Sequence, residues 1–377
     1  MKLFKIKPFI ILINLILLFI LSCKQTNSIK LNSNSVNDTT KESKYEFRDD
    51  SLLSIIGVGD IMMGSNYPNS SSLPPDDGKY LFQDVSDILN SADITCGNLE
   101  GTLLDAGGTP KVCNDSGGHC ISFRMPEHYA SYLKDAGFDF LNLANNHSGD
   151  MGIKGRESTV ETLDKYDLCY AGTLEYPTVI FEKNGIKYGF AGFAPNRGTN
   201  SINNFNNAKE IVSDLKNQVD IVIVFFHGGA EGVSAQNVPK RDEIFLGEDR
   251  GDVYEFAHGM IDAGADVVFG SGPHVTRAIE LYDDRIIAYS LGNFCTYAKF
   301  DIKGVLGIAP IIKIYINNKG EFKEGKIIPV KQIKRGIPVL DDKKQVIKVL
   351  QNLSEKNFPQ SKLIIDDDGF ISIKDNP

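Results

Sequence analysis

Short apolar runs in this chain repeatedly end in a carboxylate, an amide or an imidazole. Ile55-Ile56-Gly57-Val58-Gly59 ends at Asp60, and Ala92-Asp93-Ile94-Thr95-Cys96 runs into Gly97-Asn98-Leu99-Glu100. The run at 138–143 leads to Asn145-Asn146-His147, that at 221–226 to His227, and that at 267–269 to Gly272-Pro273-His274. Ligands of open α/β sheets bind beyond the carboxyl ends of strands, so such groups can meet in one crevice. A metal-dependent hydrolytic site is the first hypothesis.

Taken singly, each group has a plainer reading. Asp60 could ligate a cation or cap the next turn. Glu100 could bridge two cations or stand solvated in its loop. In Asn145-Asn146-His147 an amide oxygen can ligate a metal and the adjacent imidazole can act as general acid or phosphate contact; a hydrogen-bonded turn is the alternative. His227 precedes Gly228-Gly229-Ala230-Glu231, whose glycines let backbone approach a ligand closely. His274 also stands among small residues. The plain readings are harder to sustain together than one at a time. His119, His128 and His258 read as structural or surface residues. Carboxylate, imidazole and amide donors without thiolate suit Mn, Zn or Fe better than calcium or an iron–sulfur cluster. A pair of such ions can bridge a hydroxide and polarise a phosphoryl or carbonyl oxygen. No G-x-S-x-G elbow and no P-loop occurs. Gly57-Val58-Gly59 fails as a dinucleotide loop because Met62 stands where a third glycine belongs.

The elements that must position these groups alternate. Strands are expected at 53–58, 94–96, 138–143, 168–171, 221–226 and 267–269, and helices at 82–90, 126–136, 154–166, 207–219 and 254–263. Asn184-Gly185 marks a hairpin between 179–182 and 188–193, and Asp283-Asp284 another between 278–282 and 285–289. Strands at 308–316 and 323–330 precede a closing helix at 343–356. Mixed hairpins and crossovers point to an α/β (α+β) fold of two packed sheets with outer helices.

The start of the chain has a different character. Lys2, Lys5 and Lys7 precede an apolar stretch from Phe9 to Leu21, the pattern of a secretory signal. The stretch is short for a permanent membrane span. It closes on Ile20-Leu21-Ser22-Cys23, which resembles a bacterial lipobox. That resemblance implies removal of residues 1–22, a lipid on Cys23, and a membrane lipoprotein facing outside the cell; an uncleaved signal anchor is the alternative. Residues 23–50 are rich in Asn, Ser, Thr and Lys and read as a flexible tether, leaving 51–377 as the folded domain, with a C-terminal hairpin and helix in 300–377. The formal charge of −9 argues against nucleic acid as partner. In an oxidising compartment Cys113 and Cys120 could form a disulfide, or a metal clip with His119. Cys96 and Cys295 sit in apolar runs as small hydrophobes.

Gly59-Asp60-Ile61-Met62, Gly97-Asn98-Leu99-Glu100, Asn145-Asn146-His147, His227 with Glu231, Gly272-Pro273-His274 and Ser290-Leu291-Gly292-Asn293-Phe294 form an ordered set. The set resembles the CapA/PgsA capsule-synthesis proteins of the calcineurin-like metallophosphatase superfamily. The likeness runs from Leu53 to about Val330. It implies a four-layer α/β/β/α sandwich with two mixed β-sheets, and a role in synthesis, export or anchoring of capsular poly-γ-glutamate. By the same analogy Asp60, Glu100, Asn146, His227 and His274 would be metal ligands. His147 would be the general acid, with Glu231 beside it in the catalytic group. Two departures stand out. The superfamily's D-x-H has Met62 in place of its histidine, and its closing G-H-x-H is reduced to His274. The implied cofactor is one or two divalent transition-metal ions. The implied partners are the membrane, through the lipid, and the capsular polymer or its synthesis machinery. A non-catalytic surface module and a generic exported phosphoesterase are the competing readings.

Overall fold

The computed structural model describes residues 52–112 and 121–374. The signal segment, Cys23, the tether and the pair Cys113 and Cys120 lie outside the described residues.

Among the described residues, two mixed sheets pack face to face. The larger runs Leu363–Ile365, Phe370–Ile373, Phe322–Ile333, Ile308–Ile316, Leu53–Met62, Ile94–Leu99, Phe140–Asn142, Cys169–Ala171. Asn293–Thr296 joins it beside Leu53–Met62 and Ile337–Leu340 beside Phe322–Ile333. The smaller runs Ile279–Tyr282, Arg285–Ala288, Val267–Ser271, Ile221–His227, Ile186–Phe193, Thr178–Lys183.

The layering follows from strand alternation. Ile221, Ile223 and Phe225 enter the core between the sheets, while Val222, Val224 and Phe226 enter the core under the outer helices. Both faces are covered, so this strand reads as an unbroken apolar run. Ile55 likewise faces inward and Ile56 and Val58 outward. Helices Tyr129–Asp135 and Gly152–Lys165 cover the larger sheet through Tyr129, Leu133 and Leu163. Helices Phe205–Lys216 and Val253–Asp262 cover the smaller through Val212, Leu215, Phe256 and Met260. The result is the four-layer α/β/β/α sandwich expected from the family resemblance. Helix Gln345–Asn357 adds Val346, Ile347 and Leu350 to the core between the sheets.

Asn184 and Gly185 take φ of 56° and 79°, the positive pair that a tight hairpin turn requires. The expected helix at 82–90 is reduced to Ser86–Leu89, with Phe82 and Val85 held in the core from preceding turns. Val85 at its N-cap offers no side-chain acceptor. Nor does the helix at 345–357 close the chain: a hairpin, Leu363–Ile365 with Phe370–Ile373, follows it and completes one edge of the larger sheet.

Strand register brings the chemistry together. Asp60 is level with Asn98, Asn98 with Asn142, and His227 with Ser271. Gly59 permits the approach of Asn293–Thr296: a Cβ there would fall 1.8 Å from the Gly292 carbonyl oxygen, which accepts from Asp60 N at 2.9 Å.

Candidate metal centre

Asp60 and Glu100 are fully buried at the ends of their strands. Asp60 Oδ1 accepts from Asn98 Nδ2 at 2.9 Å, and Oδ2 lies 3.0 Å from His274 Nδ1. Asn98 Oδ1 accepts from Asn142 Nδ2 at 2.9 Å and Asn145 Nδ2 at 3.1 Å. This amide ladder crosses the sheet and fixes the depth of the crevice. Asn145 Oδ1 also accepts from His147 N at 3.0 Å, an Asx turn that aims the next two side chains.

On the facing sheet, His227 is fully buried and its Nδ1 lies 3.2 Å from Ser271 Oγ and from Asn98 Nδ2. Its Nε2 meets no hydrogen-bond partner. His274 stands at φ 58°, a strained setting that packed surroundings must enforce. Its Nε2 is 3.8 Å from Glu100 Oε1 and from Glu231 Oε2. Glu231 is pinned by Arg250 Nη2 at 2.6 Å.

His147 forms the opposite wall. Its Nε2 is 3.8 Å from Glu100 Oε1. Its Nδ1 is 2.7 Å from Asp150 Oδ2, which assigns the proton to Nδ1. Asp150 also accepts from Phe123 N at 2.6 Å and pairs with Lys111 at 2.7 Å. Phe123 stacks on the His147 ring at 4.1 Å, and Phe300 packs against Phe123 at 5.3 Å and His274 at 4.9 Å.

Charge in the crevice is unbalanced. Burial, with the Asp60 charge added, pushes the Glu100 carboxyl well above the usual range. Burial also works against ionised Asp60, but the His274 hydrogen bond and charge outweigh it and hold that carboxyl low. Burial opposes charge on His274, yet Glu100, Asp60 and Glu231 lift it to about 10. Burial drives His227 down to about 3, and burial lowers His147 against the pull of Asp150. Two imidazoles flank Glu100, one cationic and one neutral at pH 7.

A metal fits what is missing. Both Glu100 oxygens, Asn146 Oδ1 and His227 Nε2 are buried without a hydrogen-bond partner. Such groups are costly to leave unmade. One ligand atom each from Asp60, Glu100 and His274 lies within 4.8 Å of the others. A cation there would partner the two Glu100 oxygens and hold that carboxylate ionised.

Of the residues singled out from sequence, Asp60, Glu100, His147, His227, Glu231 and His274 stand in one connected network, and Asn146 lies in the loop beside it. His128 pairs with Asp77 at 2.7 Å and His258 with Glu280 at 2.9 Å, away from that network. Sequence reasoning assigns no role to Asn98, Asn142, Asp150, Lys111, Arg250 or Phe123. The His147-x-x-Asp150 spacing is a usable signal for Asp150; nothing in the local sequence marks Lys111 or Arg250.

The profile of a family described as Bacterial capsule synthesis protein PGA_cap matches residues 54–298. The chain belongs to this family. The capsule biosynthesis protein CapA of Bacillus anthracis is 31% identical over 280 residues, 69% of this chain and 63% of that one. The PGA biosynthesis protein CapA of Bacillus subtilis (strain 168) is 29% identical over 273 residues, 68% of this chain and 66% of that one. This PGA_cap chain thus aligns with just under two thirds of the length of these relatives. A solved hypothetical protein from Thermus thermophilus overlaps at TM-score 0.43 with 14% identity, covering 74% of this chain and 99% of that one. That overlap is too low to bear on the site. The PGA_cap match spans every strand-end group of the crevice, from Asp60 to His274.

Proposed function

We propose that this PGA_cap protein is a metal-dependent hydrolase of the cell exterior that acts in capsular polymer synthesis, export or anchoring, with poly-γ-glutamate as the polymer. The observation that carries the reading is the group of orphaned buried atoms, Glu100 Oε1 and Oε2, Asn146 Oδ1 and His227 Nε2, around Asp60 and His274. Those residues would hold one or two ions of Mn, Zn or Fe. When bound, such an ion polarises a phosphoryl or carbonyl oxygen and acidifies water.

The chain's own groups do the rest. Asp150 orients His147 so that Nε2 faces the crevice, where a protonated Nε2 would donate to the leaving group as the scissile bond breaks and recover the proton from the attacking water. Arg250 holds one oxygen of Glu231 at 2.6 Å, leaving the other turned toward His274. Phe123 and Phe300 wall the site against water. Outside the described residues, cleavage before Cys23 would release residues 1–22. It would leave a lipid anchor, the 23–50 tether and the 51–377 domain facing outward, beside the polymer-making machinery.

The test is elemental analysis of the purified protein together with hydrolysis of phosphodiester and γ-glutamyl substrates. Stoichiometric metal, lost with His227→Ala, and turnover lost with His147→Ala are expected; metal-free protein with full turnover sinks the reading. A second reading, a non-catalytic module of the same fold, is favoured by Met62. This residue is fully buried and offers a thioether where the superfamily pattern has an imidazole. Metal-dependent turnover rules that reading out.

A further inference from the structure

A cavity of about 420 Å³ lies beside the crevice, between Arg156, Val160 and Glu161 of the Gly152–Lys165 helix and Glu175 and Tyr176 across from it. That volume lies in the range of small-molecule sites. Its lining reaches Gly101 and Ser148, the residues that follow Glu100 and His147. The helix leaves this face open: Ile153, one turn before Glu157, is 68% exposed.

Arg156 is the anomaly in this cavity. It is half-buried, and its guanidinium lies between two loops. A Cβ on Gly198 would come 3.1 Å from Nη1, and one on Gly149 3.8 Å. Among the described residues Arg156 makes no hydrogen bond or ion pair. A guanidinium has five donors and, where partly withdrawn from water, is the residue type that takes a carboxylate or phosphate in a bidentate grip. Asn196 Oδ1, two residues before Gly198, is also buried without a partner.

The other charges restrict what Arg156 can receive. Glu157, Glu161 and Glu175 line the same cavity from its exposed rim and make no ion pair among the described residues. A purely anionic ligand would be repelled by these carboxylates, and a purely cationic one by Arg156. A ligand carrying both charges a few bonds apart satisfies both walls, while Val160 and Tyr176 offer apolar contact to its carbon chain. We infer that this cavity binds an α-amino-acid zwitterion, its carboxylate on Arg156 and its ammonium on Glu161 and Glu175. A free amino acid has this chemistry. So does the amino end of a γ-linked chain, whose first residue keeps both its α-amino and α-carboxylate groups. That second source rests on the proposed polymer-processing role; the first does not.

The test is calorimetric titration of the purified full-length protein with glutamate and with γ-glutamylglutamate. The matched controls are N-acetylglutamate, which lacks the ammonium, and glutamate α-amide, which lacks the α-carboxylate. Saturable binding of the unblocked ligands is expected, with both blocked forms failing. Arg156→Gln, and Glu161→Gln combined with Glu175→Gln, should each weaken binding by about tenfold or more, with the fold checked by circular dichroism. Tighter binding of γ-glutamylglutamate than of glutamate assigns the cavity to the chain end; equal binding assigns it to the free amino acid. No saturable binding of either ligand, equal binding of the blocked forms, or unchanged affinity in Arg156→Gln overturns the inference. His227→Ala, which removes the proposed metal, should leave this binding intact, so loss of the hydrolase reading alone does not carry this one with it.

Discussion

Two buried polar clusters sit close together in this molecule, and they are built on opposite plans. Around Glu100, carboxylates and imidazoles are withdrawn from water while several of their atoms meet no partner. Behind Glu231, Arg277 is fully buried and satisfied. Its Nη1 and Nη2 donate to Glu243 at 2.7 Å and 2.8 Å, and its Nε donates to the Ala235 carbonyl at 2.7 Å. Glu243 Oε2 also accepts from Ala230 N at 3.0 Å. A complete cluster holds its own loops in place, whereas an incomplete one is held in place by others and awaits a ligand. Arg277 and Glu243 clamp the two loops that carry Glu231 and Arg250, so the finished cluster supports the unfinished one.

The sharpest way to break this contrast is Arg277→Ala. Removing one member of a buried ion pair leaves the other charged and desolvated, at a cost of about 3–5 kcal/mol. Thermal unfolding should show a large drop in midpoint. Arg277→Met with Glu243→Leu should recover most of it, since neither charge is then stranded. By contrast, His227→Ala should change the midpoint of metal-free protein far less while abolishing bound Mn, Zn or Fe on elemental analysis. If the two single variants destabilise metal-free protein equally, the clusters are not different in kind.

A smaller effect is expected at Asp150, which lies behind His147 rather than in the crevice. Asp150→Asn removes the charge that supports protonation of His147, so the imidazole's titration midpoint, read by nuclear magnetic resonance, should fall further below its ordinary value. Turnover should fall with it, since the carboxylate fixes the tautomer and orientation of the imidazole. An unchanged His147 titration would remove Asp150 from its positioning role.

Much of the crevice is legible in the sequence because strand-end groups advertise themselves. Asp60, His227 and His274 each follow an apolar run, and the fold brings such ends to one place. The layered architecture is equally visible, since Ile221–His227 is apolar on both faces only when both faces are covered. What stays hidden depends on tertiary contacts. Lys111 reaches Asp150 from a distant irregular segment, and Arg250 reaches Glu231 across a loop. The apolar spacing before the short helix Ser86–Leu89 suggests a longer one, because turns packed on a core are served equally well by that spacing. The hairpin at the sheet edge escapes detection because Leu363 and Ile365 are only half-buried and Ile364 is exposed, which blurs the apolar alternation of a strand.

The finest test concerns protons standing in for a cation. In metal-free protein the folded state holds Glu100 well above its ordinary pKa and His274 at about 10. Both groups therefore bind protons more tightly folded than unfolded. Their contribution to stability is complete below the unfolded values and is lost as pH rises toward the folded ones. His227, at about 3 when folded, has the opposite sign, but its effect is confined to the acid side of 6.5 and is already complete at neutrality. From pH 7 to 8.5 the net slope is thus downward, by at most about 1.4 kcal/mol per pH unit for each proton concerned. The unfolding midpoint of metal-free protein should fall across this interval. Glu100→Gln should raise that midpoint and flatten its pH dependence, since it takes away both the proton that Glu100 holds on folding and the carboxylate that lifts His274, and should weaken metal binding at the same time. Saturating Mn or Zn should flatten the wild-type profile in the same way, with a cation in place of the protons. A metal-free profile that is flat or rising over this range would show that Glu100 already has its charge balanced, and the incomplete cluster would then be complete without a metal.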